Sequence, residues 1–539
     1  MIKYIKTSIA CVLASTLLFS CISDLDQTPI DPDSFTELDV FANPTEAKSA
    51  LAKVYAAFAL TGQKGPDGDP DISGIDEGSS QYTRMLHNFQ ELTTDHAVNG
   101  WGNPGLPDLH AMSWTSSNGF VEGMYYRLAQ SVSFANSFIE NAQVLAEDDE
   151  VKSFIAEARF LRAYAYYNLM DLFANVPLVT KIQTELPQQS NRKEIFAFIE
   201  TELKEIEGLL KNSRANEYGR VDETAAQALL SRMYLNAEVF IGENRYSDCI
   251  TYSNKVISSG YSIHMTDVNG NGTAYDDMFL ADSDSNGAQN EFIFTISFDG
   301  IESQTWGGVT YLVHASIGGT MNPTHFGVNG GWAGLRTTKA LVSKFEANAT
   351  NGDGEPIAWA DKRAMFHTDQ QNYEITTIAN TFEDGYAITK FKNVDKDGNA
   401  GSDPNGDQVD MDTPMIRLAE IYLNYAEAVV RGGTGGSIAD ATNYINILRT
   451  RGYGDSSGNI TSGDVTLDFI LDERSRELYW EGLRRTDLIR YDRFTTGDYL
   501  WPFKGDLPDG TAVSSHRNIY PIPANAILVN PNLTQNPQY

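Results

Sequence analysis

Cysteine and histidine are scarce: three and eight of 539 residues. Cys11 and Cys21 lie at the N-terminus, which leaves Cys249 alone in a helical-looking segment. The body therefore has no internal disulfide, and its stability must come from packing. Cys249 reads as a buried small hydrophobe. There is no His-Glu-x-x-His run, no Gly-x-Ser-x-Gly elbow and no phosphate-cradling glycine loop, so the common signatures of zinc, serine-nucleophile and nucleotide chemistry are missing. Positive charge is also in short supply: 40 Lys and Arg stand against 72 Asp and Glu, a net charge of -32. Such a surface repels phosphate backbones and argues against nucleic acid or a polyanionic ligand. Beyond the N-terminal segment no apolar run approaches the ~20 residues that a membrane-spanning helix needs.

The N-terminus itself carries the first positive signal. Lys3 and Lys6 precede an apolar stretch that ends Leu17-Leu18-Phe19-Ser20-Cys21. A basic start, a short apolar segment and a small residue at the cut make a secretory signal peptide over 1–20. A cysteine directly after the cut marks a lipoprotein, with lipidation at Cys21. Each buried methylene contributes about 0.8 kcal/mol, and two or three acyl chains anchor firmly where one does not. Residues 21–40 then read as a lipidated tether with Pro29 and Pro32. Asp24 and Asp26 just behind the anchor are either a surface-export address or plain solvated linker.

From Thr45 the pattern turns helical. Segments 45–60, 119–146, 151–173, 192–211, 222–240 and 246–258 carry apolar residues three and four apart. Phe154, Ala158, Leu161, Ala165 and Leu169 show this spacing well. Small Ala paired with large aromatics permits close packing, and consecutive pairs look like tetratricopeptide-type hairpins. Helices return at 414–431, 437–451 and 465–491. Between them, 61–118 and 260–413 are rich in Gly, Asn, Asp and Ser, with one strand-like run at Glu291–Phe298. Segment 518–539 reads as an extended, proline-punctuated tail. One body, 41–539, thus has its helical scaffold at about 41–258 and 414–491, and loops of the kind that carry function.

Within those loops the aromatics stand out. Trp101 sits in Asn99-Gly-Trp101-Gly-Asn103, Trp306 in Gln304-Thr-Trp306-Gly with Tyr311 beyond it, and Trp332 in Asn329-Gly-Gly-Trp332-Ala-Gly. A core Trp normally lies among Leu, Val and Ile; glycine neighbours leave the ring open. A flat indole covers the apolar C–H face of a sugar, and polar groups pair with the hydroxyl rim. The predicted platform is Trp101, Trp306 and Trp332, with Asn99, Asn103, Asp76, Arg84 and Tyr311 around it. Two acidic loops are candidate calcium sites, Asp267/Asn269/Asn271 and Asp395/Asp397, although neither has the closing Glu of a calcium loop. Glu473, Glu477 and Glu481 lie among Arg474, Arg476, Arg484 and Arg485, which reads as ion-pair lacing rather than catalytic carboxylates. Asp95-His96 reads as a satisfied turn.

Four motifs carry a resemblance: Glu157–Leu169 (EARFLRAYAYYNL), Met415–Ala428 (MIRLAEIYLNYAEA), Leu471–Arg490 (LDERSRELYWEGLRRTDLIR) and the ending Tyr520–Tyr539. The chain resembles the SusD/RagB family of surface glycan-binding lipoproteins from Cys21 to its last residue. The resemblance implies a mainly α fold, a four-repeat tetratricopeptide-like scaffold under a large irregular loop-rich face with few short strands. It implies an outer-membrane location facing the exterior, a neutral glycan ligand, no catalysis and no cofactor. It also implies a partner, a SusC-like TonB-dependent barrel over which the lipoprotein closes. The rival readings are a lipoprotein glycosidase and a lid for a non-glycan nutrient such as peptides.

Overall fold

The computed structural model describes residues 40–66, 70–72, 74–379 and 381–539; the signal peptide, Cys21 and nearly all of the tether lie outside them. The scaffold begins at α1 (Pro44–Ala59). Asn43 caps it by accepting from the Thr45 and Glu46 amides, and Pro44 presets the first turn. After α1 the helices that matter are α2 (Tyr82–Gln90), α3 (Gly119–Asn141), α4 (Asp149–Phe173), α5 (Arg192–Ile206), α6 (Glu223–Leu235) and α7 (Tyr246–Ile257). They are followed by α8 (Gly308–Ala315), α9 (Leu418–Val430), α10 (Ile438–Tyr453), α11 (Leu467–Leu478), α12 (Arg484–Arg490) and α13 (Ala524–Val529). Packing runs through neighbours, α3 on α4, α4 on α5, α6 on α7, α7 on α9 and α9 on α10. The Phe154–Leu169 stripe of α4 is buried as its spacing requires. Among the described residues, no helix is long and apolar enough to cross a membrane.

Polar bonds fix the angles between these hairpins. Arg162 donates to Glu202 at 2.6 Å, Asn136 at 2.7 Å and the Thr180 carbonyl at 3.0 Å. Tyr166 donates to the Val179 carbonyl and accepts from the Val179 amide. The acid–base run of α11 is laced as its composition predicts. Arg363 reaches Glu473 at 2.8 Å and Glu477 at 3.0 Å, and Arg417 reaches Glu477 at 2.6 Å and Glu481 at 2.7 Å. These carboxylates are almost wholly buried. Asp95 pairs with Arg484 at 2.6 Å, and His96 bridges Glu91 and Ser475.

Several elements differ from the sequence expectation. The helix read from residue 414 starts four residues later, because Thr413–Arg417 forms a strand antiparallel to Phe292–Ile296. A tertiary ladder outcompetes the local helical pattern there. The helix read over 465–491 is cut in two where Trp480 takes φ 63° and Gly482 φ 76°. The tail, expected to be extended, carries α13. The loop-rich face contains α2 and α8, both short and almost fully buried.

Candidate functional site

The loop-rich face gathers its aromatics at one place, and short elements do the positioning. The strand pair β1 (Val98–Asn99) and β2 (Leu335–Arg336) is antiparallel, with Val98 opposite Arg336 and Asn99 opposite Leu335. The pairing continues through the Gly100 amide to the Gly334 carbonyl. It brings Trp101, just after β1, against Trp332, just before β2. The Trp101 indole N–H donates to the Trp332 carbonyl at 3.1 Å, and the Trp101 amide donates to Asn99 Oδ1 at 2.9 Å. Glycine is required at the contact: a Cβ on Gly334 would stand 2.5 Å from the Trp101 ring. Gly78 does the same for Trp306, where a Cβ would lie 2.8 Å from the Trp306 Cβ.

The three indoles form an arc. Trp101 and Trp332 have ring centroids 6.4 Å apart at 42°, and Trp332 and Trp306 lie 6.2 Å apart at 54°. Each ring is half-buried, held on one side and open on the other. Trp332 is the middle ring, and His314 of α8 stacks on it at 4.6 Å and 16°. The sequence reading missed His314, because Gly308–Ala315 lies in a segment read as loop. Its apolar run Val309-Thr-Tyr-Leu-Val313 was the available signal.

Beneath the arc lies a polar support. Tyr311 meets the Trp101 ring edge-on at 5.8 Å, and the Arg84 guanidinium stacks over Tyr311 at 4.3 Å and lies 5.7 Å from Trp101. The Tyr311 hydroxyl accepts from Asn99 Nδ2 at 3.0 Å and donates to Asn88 Oδ1 at 3.4 Å. Burial pushes the Tyr311 hydroxyl up to about 12. Burial lowers the Arg84 pKa from its usual value, opposed by the Tyr311 and Asp76 charges. Below them burial holds His87 neutral, down to about 3. Tyr311 is fully buried, Asn99 is 2% exposed and Arg84 7%. The expected direct contact of Tyr311 and Asn99 with a ligand is thus corrected: both hold the rings from behind.

Asp76 and Asn103 are exposed and line a cleft of about 260 Å3 with Met85, Phe120 and Glu122; Asp76 is close enough to Arg84 for its charge to act there. Asp76 caps a short helix by accepting the Ser79 amide at 2.7 Å. A larger, mostly apolar cavity of about 510 Å3 lies between α1, the 217–220 loop and Phe294–Ser297; it holds none of the three indoles. In the first acidic loop Asp267 accepts the Gly270 and Gly272 amides, and Asn269 and Asn271 donate to Asp276. In the second, Asp395 accepts the Asp397 and Asn399 amides, and Asp397 pairs with Lys396. Both acidic loops thus spend side-chain oxygens on their own turns. Among the described residues, no three His, Cys, Asp or Glu side chains converge as metal ligands.

The structure is thus a mainly helical scaffold of hairpins that carries a cluster of three tryptophans on an irregular face. Comparison with known proteins supplies the assignment. Residues 366–539 match the family model described as "SusD family", and residues 76–235 match one described as "Starch-binding associating with outer membrane". The chain is 34% identical to "Starch-binding protein SusD" of Bacteroides thetaiotaomicron, with 100% of this chain and 99% of that protein aligned. It therefore belongs to the SusD family. Solved structures agree on the fold. A surface glycan-binding protein A from Bacteroides fluxus superposes with a TM-score of 0.68 at 20% identity, covering 92% of this chain and 100% of that one. A SusD-like carbohydrate-binding protein from Bacteroides fragilis gives 0.69 at 19% identity, covering 92% and 99%.

Proposed function

We propose that this protein captures a neutral α-glucan at the cell surface and passes it to a SusC-like TonB-dependent barrel, without hydrolysing it. The observation that carries the reading is that the aromatic platform is not flat. Successive tilts of 42° and 54° keep the three rings out of a single plane. A helically coiled glucan presents a curved apolar face to such an arc, whereas a ribbon-like β-linked chain suits a flat one. The 34%-identical relative is named a starch-binding protein, which supports the same ligand class. The ligand is neutral, as the net charge of -32 favours. The glycosidase reading loses its most obvious carboxylates, because Glu473 and Glu477 are buried in arginine pairs. Neither platform nor support asks for a cofactor; the two acidic loops remain the calcium candidates.

Calorimetry of the full chain in detergent with maltoheptaose and with cellohexaose tests the glucan assignment. Binding of the maltooligosaccharide alone is expected. Preference for the β-linked chain, for a peptide library, or release of reducing ends that one acid substitution abolishes would each sink it. Attachment has its own test. With Cys21 as the lipid acceptor, Cys21→Ala is expected to move the protein from the membrane pellet to the soluble fraction; its retention in the pellet would remove the anchor.

A further inference from the structure

His314 occupies an unusual position. Its Nδ1 lies 2.7 Å from the Gly330 carbonyl and its Nε2 lies 3.0 Å from the Asp407 carbonyl. Both partners are pure acceptors. A neutral imidazole has one N–H and satisfies only one of them, leaving a lone pair facing the other oxygen; an imidazolium satisfies both. The ring is buried and lies flat against Trp332, and a cation on an indole face gains a further attraction. It also sits in the last turn of α8, the end of a helix that favours positive charge.

The two carbonyls belong to the two segments that position the outer platform. Gly330 lies two residues before Trp332. The Trp332 amide donates back to the His314 carbonyl at 2.7 Å, and the Ala333 and Gly334 amides donate to Ile317 and Ala315. Asp407 belongs to a turn organised by Asp403, which accepts the Asn405, Asp407 and Gln408 amides. That turn is bonded to the segments of two indoles, Trp306 and the middle ring Trp332. Gln408 Oε1 accepts the Thr305 amide at 3.0 Å, next to Trp306, and the Asp407 carboxylate accepts Asn329 Nδ2 at 2.6 Å, three residues before Trp332. The charged group of this turn that acts on His314 is Asp407; the Asp403 carboxylate is taken up by the amides of its own turn. The 329–332 segment adds only Asn329 and the Trp332 ring, and the nearest cation on α2 is Arg84, behind Tyr311.

We propose that His314 is a positioning residue for the middle ring of the platform, and that a proton taken up there clamps the Trp332 segment to the 403–408 turn and tightens the grip on the glycan. Burial lowers the His314 pKa from the ordinary histidine value, while the Gly330 and Asp407 carbonyls and the Asp407 charge pull it back up. The gain in affinity therefore comes as pH falls below the ordinary histidine range. This role rests on the platform reading above, and two independent measurements separate them.

The first uses the full chain in detergent without ligand, followed by tryptophan fluorescence and near-ultraviolet circular dichroism from pH 8 to 4.5. An imidazolium against an indole quenches its emission, so a one-proton transition is expected in the wild type and is lost in both His314→Gln and Trp332→Phe. Absence of the transition, or its survival in His314→Gln, would overturn the proposal. The second is calorimetry with maltoheptaose over the same range. Wild-type affinity is expected to rise roughly threefold to tenfold toward pH 4.5, the scale of one cation–π contact or hydrogen bond. His314→Gln and His314→Phe should keep a flat profile at temperatures where each remains folded, although Phe retains the stacking. A parallel pH dependence in these variants would also overturn it. A His314-dependent optical transition in a protein that binds no maltoheptaose would uphold the coupling and remove the α-glucan reading instead.

Discussion

Trp101 is tied in at three points: its indole N–H to the Trp332 carbonyl, its amide to Asn99, and its ring against Gly334. Its other face is open. Trp101→Ala should therefore cost the buried apolar area of one large side chain, about 1–3 kcal/mol, or roughly tenfold to hundredfold in glycan affinity. Helicity should stay intact, since the ring's neighbours, Tyr311, Arg84, Gly334 and Trp332, lie on the loop-rich face and not on the long scaffold helices. Because the contact is apolar and the ligand uncharged, a change of salt should scarcely alter the affinity. Calorimetry at two salt concentrations, with circular dichroism beside it, reads both. Loss of affinity together with loss of helicity would show the tryptophan to be structural. The residue scale also separates contact from support. Trp101, Trp306 and Trp332 keep a solvent-facing side, whereas Tyr311 and Asn99 are sealed beneath them.

At the scale of elements the scaffold rests on buried polar joints as much as on apolar stripes. Arg162 links α4 to α3 and α5 through Asn136 and Glu202. Arg162→Ala leaves Glu202 with Arg159 alone, at 2.6 Å, and strips the Thr180 carbonyl of a donor. Breaking a buried pair on one side costs about 3–5 kcal/mol. The variant should melt well below the wild type, yet bind glycan normally at temperatures where it is folded. A normal melting temperature with lost glycan binding would place Arg162 in the ligand site instead. Local pattern predicted α4 almost to the residue, because a 25-residue helix with an uninterrupted stripe has little competition. It misread 414–417 and 480–482. There the backbone conformation is set by a strand partner more than a hundred residues away and by positive-φ positions that no periodicity reports.

The whole molecule depends on charge in a way that its pI near 4.5 does not reveal. Its excess acid is not all on the surface. Glu473, Glu477 and Asp487 lie fully inside, opposite Arg363, Arg417, Arg451, Arg474 and Arg490. Although burial opposes it, these arginines hold Glu477 and Asp487 down to about 2, and Glu473 lower still. A carboxylate whose folded pKa is depressed contributes stability above its unfolded pKa, and that stability is lost as pH falls toward the folded value. The melting temperature should therefore hold near neutrality and drop steeply between pH 4.5 and about 2. Circular dichroism melts at stepped pH test this, and Glu477→Gln should already melt low at pH 7. A melting temperature unchanged down to pH 3 would show that the network contributes nothing.

Much of this protein is determined by its sequence alone. The helical stripes, the lipoprotein-type start, the four family motifs and the glycine-flanked tryptophans are all local signals, carried by residues within a turn or a loop of one another. Tertiary structure alone decided which of the predicted site residues share a surface. β1 and β2 lie more than two hundred residues apart in the chain, and their pairing sets Trp101 beside Trp332. α8 slides Tyr311 and His314 under that pair, while Asp76 and Asn103 line an exposed cleft. The reason is that an arc of rings is a relation among segments. Long-range backbone bonds, glycine clearances and buried hydrogen bonds fix it, and none of these leaves a trace in the spacing of residues along one segment.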